Sequence, residues 1–217
     1  MIKLISLIPR REDFTREAFR NHYETRHTPL ALQHYRMFRK YLRNHVTSCP
    51  DDLGFDVMSE FWYPDKQAII DAGALLYTPG VQEVLEDEKS FMDRGGTYYF
   101  ISSESLLAGP PRIVENMPIA KQLFVFRQRD GVDPGVFDKD VREYVSHASG
   151  DAHRITMDTP AGDDLGAPCP RFVDAIVSAW PKPSDRGLRL GPPPATVASC
   201  IEVWVTAHET GPDKLGN

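Results

Sequence analysis

Cysteine is scarce in this chain, and the little there is forms no pattern. Cys49, Cys169 and Cys200 are odd in number and far apart, with no CxxC pair. That argues against a disulfide framework and against a cysteine zinc site. Long apolar runs are missing as well: no stretch approaches the ~18 apolar residues of a membrane-spanning helix. The opening MIKLISLIPRRED has only a short apolar run before its arginines and acids, unlike a secretory signal. A reducing cytoplasm is the simplest setting for such a chain. Positive charge is not in excess either. The 25 Lys and Arg against 31 Asp and Glu leave a formal net charge of −6, which argues against nucleic acid or an anionic membrane as the main partner. No phosphate-binding loop, dinucleotide fingerprint or nucleophile elbow is found.

What remains is an ordinary globular composition, 41% hydrophobic and 26% charged, long enough for one large domain or two of about 100 residues. The most informative stretch is TREAFRNHYETRHTPL, Thr15 to Leu30. Thr15 reads as an N-cap, with Phe14 and Phe19 as a hydrophobic staple and Glu17 in the first turn. Phe19, Tyr23 and His27 recur every four residues and share one helix face. Pro29 is expected to stop this helix, with Thr28 and Pro29 opening a second one. His27 would then sit at a helix end. Unpaired carbonyls there favour the imidazolium and partial burial favours the neutral ring, a balance that suits proton transfer.

The rest of the chain reads as alternating elements. Strands are expected at Met1–Pro9, Lys40–Val46, Phe55–Tyr63 and Thr97–Glu104, with helices from about Asp65 to Leu76 and Thr78 to Met92. This is the strand, helix, strand, strand, helix, strand order of a ferredoxin-like unit. A Pro-rich linker, 108–120, follows. The pattern then restarts with strands at Lys121–Gln128, His153–Thr159, Arg171–Trp180 and Ser199–Ala207 and one helix from Asp133 to about His147. Lys182–Pro194 is too rich in Pro and Gly for a second helix, and the tail beyond His208 is expected to fray. The fold class is therefore α+β. Two tandem ferredoxin-like halves, 1–107 carrying the site and 121–217 degenerate, would pack their open antiparallel sheets face to face into a barrel and so hide their edges.

Alternation also nominates binding residues. Tyr41, Arg43 and His45 share one face of the second strand. Arg43 and His45 would bind a carboxylate or phenolate if that face lines a pocket, and are surface groups otherwise. Asp56, Met58, Glu60 and Trp62 share a face of the third strand, an acidic and aromatic stripe unusual for pure core. Asp56 is a candidate to orient His27 or His45. Tyr63 lies on the opposite face among aromatics that would suit a flat apolar ligand. Tyr23 is equally well core or a hydrogen-bond donor to substrate. His22 and His34 read as exposed helix residues. The set His22, His27 and His45 matches no metal-ligand spacing, so no metal is expected.

The strand IKLISLIPR, the helix TREAFRNHYETRHTPLA, the strand KYLRNHV, and FDVMSEFW followed by an acidic helix and TYYFISSE resemble the EthD-like family of the dimeric α/β-barrel superfamily. The resemblance covers about Met1 to Glu104. It implies cofactor-independent chemistry: relatives include dehydratases and decarboxylases of polyketide-like or aromatic rings, and the wider superfamily includes cofactor-free monooxygenases and haem-handling proteins. His27 would be the acid–base residue and Tyr23 its neighbour. His147 lacks the following proline, so the second half carries no matching motif. The reading is a lyase acting on a hydrophobic cyclic or aromatic small molecule. A monooxygenase on a phenolic substrate and a non-catalytic small-molecule or haem binder are the alternatives. A homodimer through exposed helices is a further possible state.

Overall fold

A computed structural model describes residues 1–50, 53–111, 118–148, 150–161, 173–182 and 187–215. Cys169, the middle of the 108–120 linker and the start of the strand expected from Arg171 lie outside them. The first half runs β1 (Ile2–Ile8), α1 (Arg16–His22), a π-helical turn (Tyr23–His27), α2 (Thr28–His34), β2 (Lys40–Ser48), β3 (Val57–Tyr63), α3 (Lys66–Leu75), α4 (Gln82–Phe91) and β4 (Tyr98–Ala108). The second runs β5 (Ile119–Gln128), α5 (Pro134–Ser146), β6 (Ala152–Pro160), β7 (Ala175–Pro181) and β8 (Val197–Glu209).

All eight strands close into one antiparallel barrel, in the order β1-β3-β2-β8-β5-β7-β6-β4. The inner faces of the strands of both halves meet in one core cluster, Ile5 and Met58 with Leu123 and Val203. The edges also pair: β2 hydrogen-bonds along β8, and β4 along β6. Edge pairing satisfies the unpaired backbone groups that stacking would leave exposed.

Strand alternation then separates two compartments. Inward residues such as Ile5, Leu7, Val46, Met58, Leu123, Val125, Ile176 and Val203 form an apolar plug inside the barrel. Outward residues of the first half, among them Ile8, Tyr41, Val57, Tyr63 and Ile101, pack under the helices against Phe19, Tyr23, Ile69, Ala72 and Phe91. On the other side, Phe124, Phe126 and Val177 pack under α5 through Phe137, Val141 and Val145.

Two local expectations are corrected. Pro29 does not stop the helix. Thr15 caps α1 by accepting from the Ala18 N–H, and the chain stays helical through Thr28. The Thr28 N–H reaches back to the Tyr23 carbonyl, five residues earlier. A proline lacks a donor and crowds the carbonyl four residues before it; one wide π turn relieves both problems without breaking the helix. His27 therefore lies inside a continuous helical segment. The tail is not frayed through its described length, since Leu215 is buried in the cluster beneath the helices. None of the described helices is long and apolar enough to cross a membrane.

Candidate active site

A cavity of about 570 Å³ lies between the outer face of β1, β2 and β3 and the helices over it. Its walls include Tyr23, His27, Tyr35, Phe38, Tyr41, Phe61, Tyr63 and Glu88. The volume falls in the range typical of small-molecule sites. The wide turn at Tyr23–His27 is part of the wall, and π turns are frequent at functional sites.

His27 is 5% exposed. Its Nδ1 lies 3.1 Å from Asp87 Oδ2 on α4. Its Nε2 has no hydrogen-bond partner among the described residues. A carboxylate on one ring nitrogen fixes the ring's orientation and favours the tautomer with the other nitrogen free to take a proton. Asp87 is buried and also receives His22 Nε2 at 2.9 Å and Arg26 Nε at 2.8 Å. Burial pushes the Asp87 carboxyl up, but the contacts from His27 and His22 outweigh it and hold it below the ordinary aspartate value. Phe91 supports the pair. Its ring stacks on His22 at 4.3 Å and sits 5.2 Å from His27.

Tyr23 is buried, with its hydroxyl 3.0 Å from Ser59 Oγ, and it accepts from the Tyr41 hydroxyl at 3.3 Å. Burial drives its phenol well above the ordinary tyrosine value. Tyr23 is thus a neutral hydroxyl near the His27 ring, whose centroid is 5.0 Å away. Glu88 adds a carboxyl that burial raises, partly offset by His27 and by Arg94, its ion-pair partner at 3.2 Å.

Of the residues nominated by sequence, Tyr23, His27 and Tyr63 share this cavity, while the others are placed elsewhere. Arg43 and His45 lie on the same side of the sheet but beneath α1. Arg43 grips Glu24 through Nε and Nη2 at 2.8 and 2.9 Å, and His45 Nε2 meets Glu24 at 2.6 Å. Asp56 binds the Arg10 N–H at 3.0 Å and Arg16 Nε at 2.9 Å, bracing the entry to α1. Glu60 and Trp62 point into the barrel, where they line a separate cavity. His22 is no free surface residue, being held by Asp87 and Phe91. Asp87 and Glu88 were not nominated. Their signal lies in α4, where Asp87 falls between Val84 and Phe91 on the buried face, a carboxylate where an amphipathic helix calls for an apolar residue. His147 donates through Nδ1 to the Glu143 carbonyl at 2.8 Å on an exposed helix end.

The Glu24 cluster predicts how acid affects stability. Burial raises Glu24, but His45 and Arg43 bring it down to about 2, from an ordinary 4.5. Desolvation lowers both His45 and His208 below 6.5 despite Glu24. A histidine whose folded value is depressed takes up protons more readily when unfolded, so stability drops as pH falls through 6.5. Stability from Glu24 is present above 4.5 and disappears as pH falls toward about 2. Urea midpoints are expected to decline in these two windows, and His45→Gln should flatten the upper one. An unchanged upper slope in that variant would refute the assignment.

Residues 11–95 match the EthD domain family model. No curated protein matches the chain. Among solved structures it is similar to a candidate monooxygenase from Lactobacillus acidophilus NCFM, at 10% identity and TM-score 0.44, covering 95% of this chain and 93% of that one. It is also similar to a candidate monooxygenase from Fusobacterium nucleatum, at 9% identity and TM-score 0.48, covering 95% and 91%. A candidate chlorite dismutase matches at 7% identity and TM-score 0.44, covering 100% and 98%.

Proposed function

We propose that the protein is a cofactor-independent lyase that dehydrates, decarboxylates or aromatises a hydrophobic cyclic or aromatic small molecule. One observation carries this reading: His27 lines a cavity walled by aromatic rings, with one ring nitrogen fixed by buried Asp87 and the other without a hydrogen-bond partner among the described residues. In a dehydration, Nε2 takes the proton alpha to a carbonyl and the resulting imidazolium returns it to the departing hydroxyl, releasing water. Tyr23 donates a hydrogen bond to the oxygen that gains charge. A substrate that delocalises this charge needs no metal or redox group for the step. Asp87 acts through His27 and is a positioning residue.

The Tyr23 hydroxyl favours one second reading. It accepts from Tyr41 and so keeps its own proton to donate to a phenolate, which the same base would generate in a cofactor-free monooxygenase. We also infer two ferredoxin-like halves, 1–107 and 121–217. Each places its strands in the same order, β4-β1-β3-β2 and β8-β5-β7-β6, which supports the division.

The test is an anaerobic mass-spectrometric screen against hydroaromatic hydroxy-ketones, aryl carboxylic acids and phenols. Loss of water or carbon dioxide without oxygen is the expected result. Product that forms only in air and carries oxygen would replace the lyase reading with the second one.

A further inference from the structure

The strand that walls the helix-side cavity with Phe61 and Tyr63 turns Glu60 and Trp62 to its other face, inside the barrel. There, at the end opened by the starts of β1 and β2, lies a separate cavity of about 260 Å³. Arg39, Lys40, Trp62, Glu104, Arg154 and Trp180 are among its walls.

The acids of this cavity are already answered. Glu60 is bound by Lys3 at 2.7 Å and Lys121 at 3.3 Å, and Glu104 by Lys3 at 2.9 Å and Arg154 at 3.0 Å. The cations are not all spent. Arg154, 6% exposed, uses Nε and Nη2 on Glu104 and on the carbonyls of Pro110 and Pro111, leaving Nη1 without a hydrogen bond among the described residues. Lys40 meets Glu209 only at 3.5 Å, beyond ordinary hydrogen-bond length. The two indoles already carry cations: Lys3 and Lys40 lie 4.8 and 5.0 Å from the Trp62 ring, and Lys121 and Arg154 lie 4.3 and 4.8 Å from the Trp180 ring. A cationic ligand would meet this charge head-on.

We propose that the open end of the barrel is a second binding site, for a small planar organic anion of the aryl carboxylate class. The carboxylate reaches Arg154 Nη1 and Lys40 Nζ, and the ring lies along the indoles. The volume, just under the ~300 Å³ of drug-sized pockets, takes one ring rather than a fused system. The proposal stands apart from the His27 reading, because the sheet separates the two cavities.

Benzoate is the probe, titrated into the full chain by calorimetry and by tryptophan fluorescence, with benzamide and benzamidine as neutral and cationic controls. Trp62 and Trp180 line this cavity and no tryptophan lines the other, so emission reports the site. Saturable one-to-one benzoate binding is expected, at least roughly tenfold tighter than either control, the scale of one charge-assisted hydrogen bond. Arg154→Gln and, at the rim, Lys40→Gln should each weaken it about tenfold, while His27→Ala leaves it unchanged. The Lys40 variant keeps the test decisive if loss of Arg154 unfolds the barrel end. Absence of saturable binding, equal binding of a control, or binding that His27→Ala removes and Lys40→Gln spares would overturn the proposal.

Discussion

Replacing His27 by alanine is expected to lower turnover by about 10²–10⁴-fold, the usual contribution of a positioned acid–base group. The loss should fall on kcat more than on KM, because the cavity walls that bind the substrate remain. The variant should also stay folded. Asp87, which would otherwise be a stranded buried carboxylate, keeps His22 and Arg26 as partners. Asp87→Asn keeps the His27 imidazole but removes the charge that fixes its ring. A smaller loss is expected there, with the acidic limb of the pH–rate profile displaced, a change that a merely structural role for Asp87 would not produce. Steady-state kinetics of both variants on a substrate found in the screen measure this. Wild-type kcat in the alanine variant would remove His27 from the chemistry.

The second large effect lies inside the barrel. Lys3, 5% exposed, holds three carboxylates at once: Glu60 at 2.7 Å, Glu104 at 2.9 Å and Asp158 at 2.8 Å. Burial opposes its charge, but Asp158, Glu60 and Glu104 together outweigh that and keep the ammonium protonated far above the ordinary lysine range. These three carboxylates come close enough to one another to hold a metal ion, yet the ammonium occupies the position among them. Lys3→Met leaves the buried carboxylates to Lys121 and Asn44 at Glu60, Arg154 at Glu104 and Ser102 at Asp158. Removing one partner of a buried ion pair costs about 3–5 kcal/mol, a large share of the ~5–15 kcal/mol of a typical domain. Burial already pushes Asp158 up, so the stranded carboxyls will take protons in the folded variant. A raised folded value means stability is kept at low pH and lost as pH rises. The deficit should therefore be larger near neutrality than in mild acid, read by urea unfolding. A deficit under about 1 kcal/mol would contradict the network's role, since that is the scale of surface pairs.

Much of the fold was legible from alternation alone. The inward and outward faces of β3 follow from its sequence, and the Phe19, Tyr23, His27 face was visible from a spacing of four. Barrel closure was less so. The ladders β2–β8 and β4–β6 join residues about 50 or more positions apart in the chain, and no local signal sets such pairings. Pro29 misled for a definite reason: the rule that proline ends helices assumes four-residue bonding, and one wide turn escapes it. The partner of His27 was missed because α4 looks like an exposed acidic helix, and only its packing shows that Asp87 faces inward. Asp56 was the better guess by strand pattern, but it lies just before β3, where the Arg10 N–H and the Arg16 guanidinium of the segment after β1 reach it first.

The most direct test of the central claim asks whether His27 moves a proton to and from carbon. A flat ketone without a leaving group, such as 2-tetralone, can enter the helix-side cavity, lose its alpha proton and regain one from solvent, but cannot eliminate. Deuterium incorporation in heavy water, followed by nuclear magnetic resonance, reads that step alone. The account predicts exchange well above the buffer rate with the wild-type protein and at the buffer rate with His27→Gln. Exchange at equal rates in both proteins would contradict it.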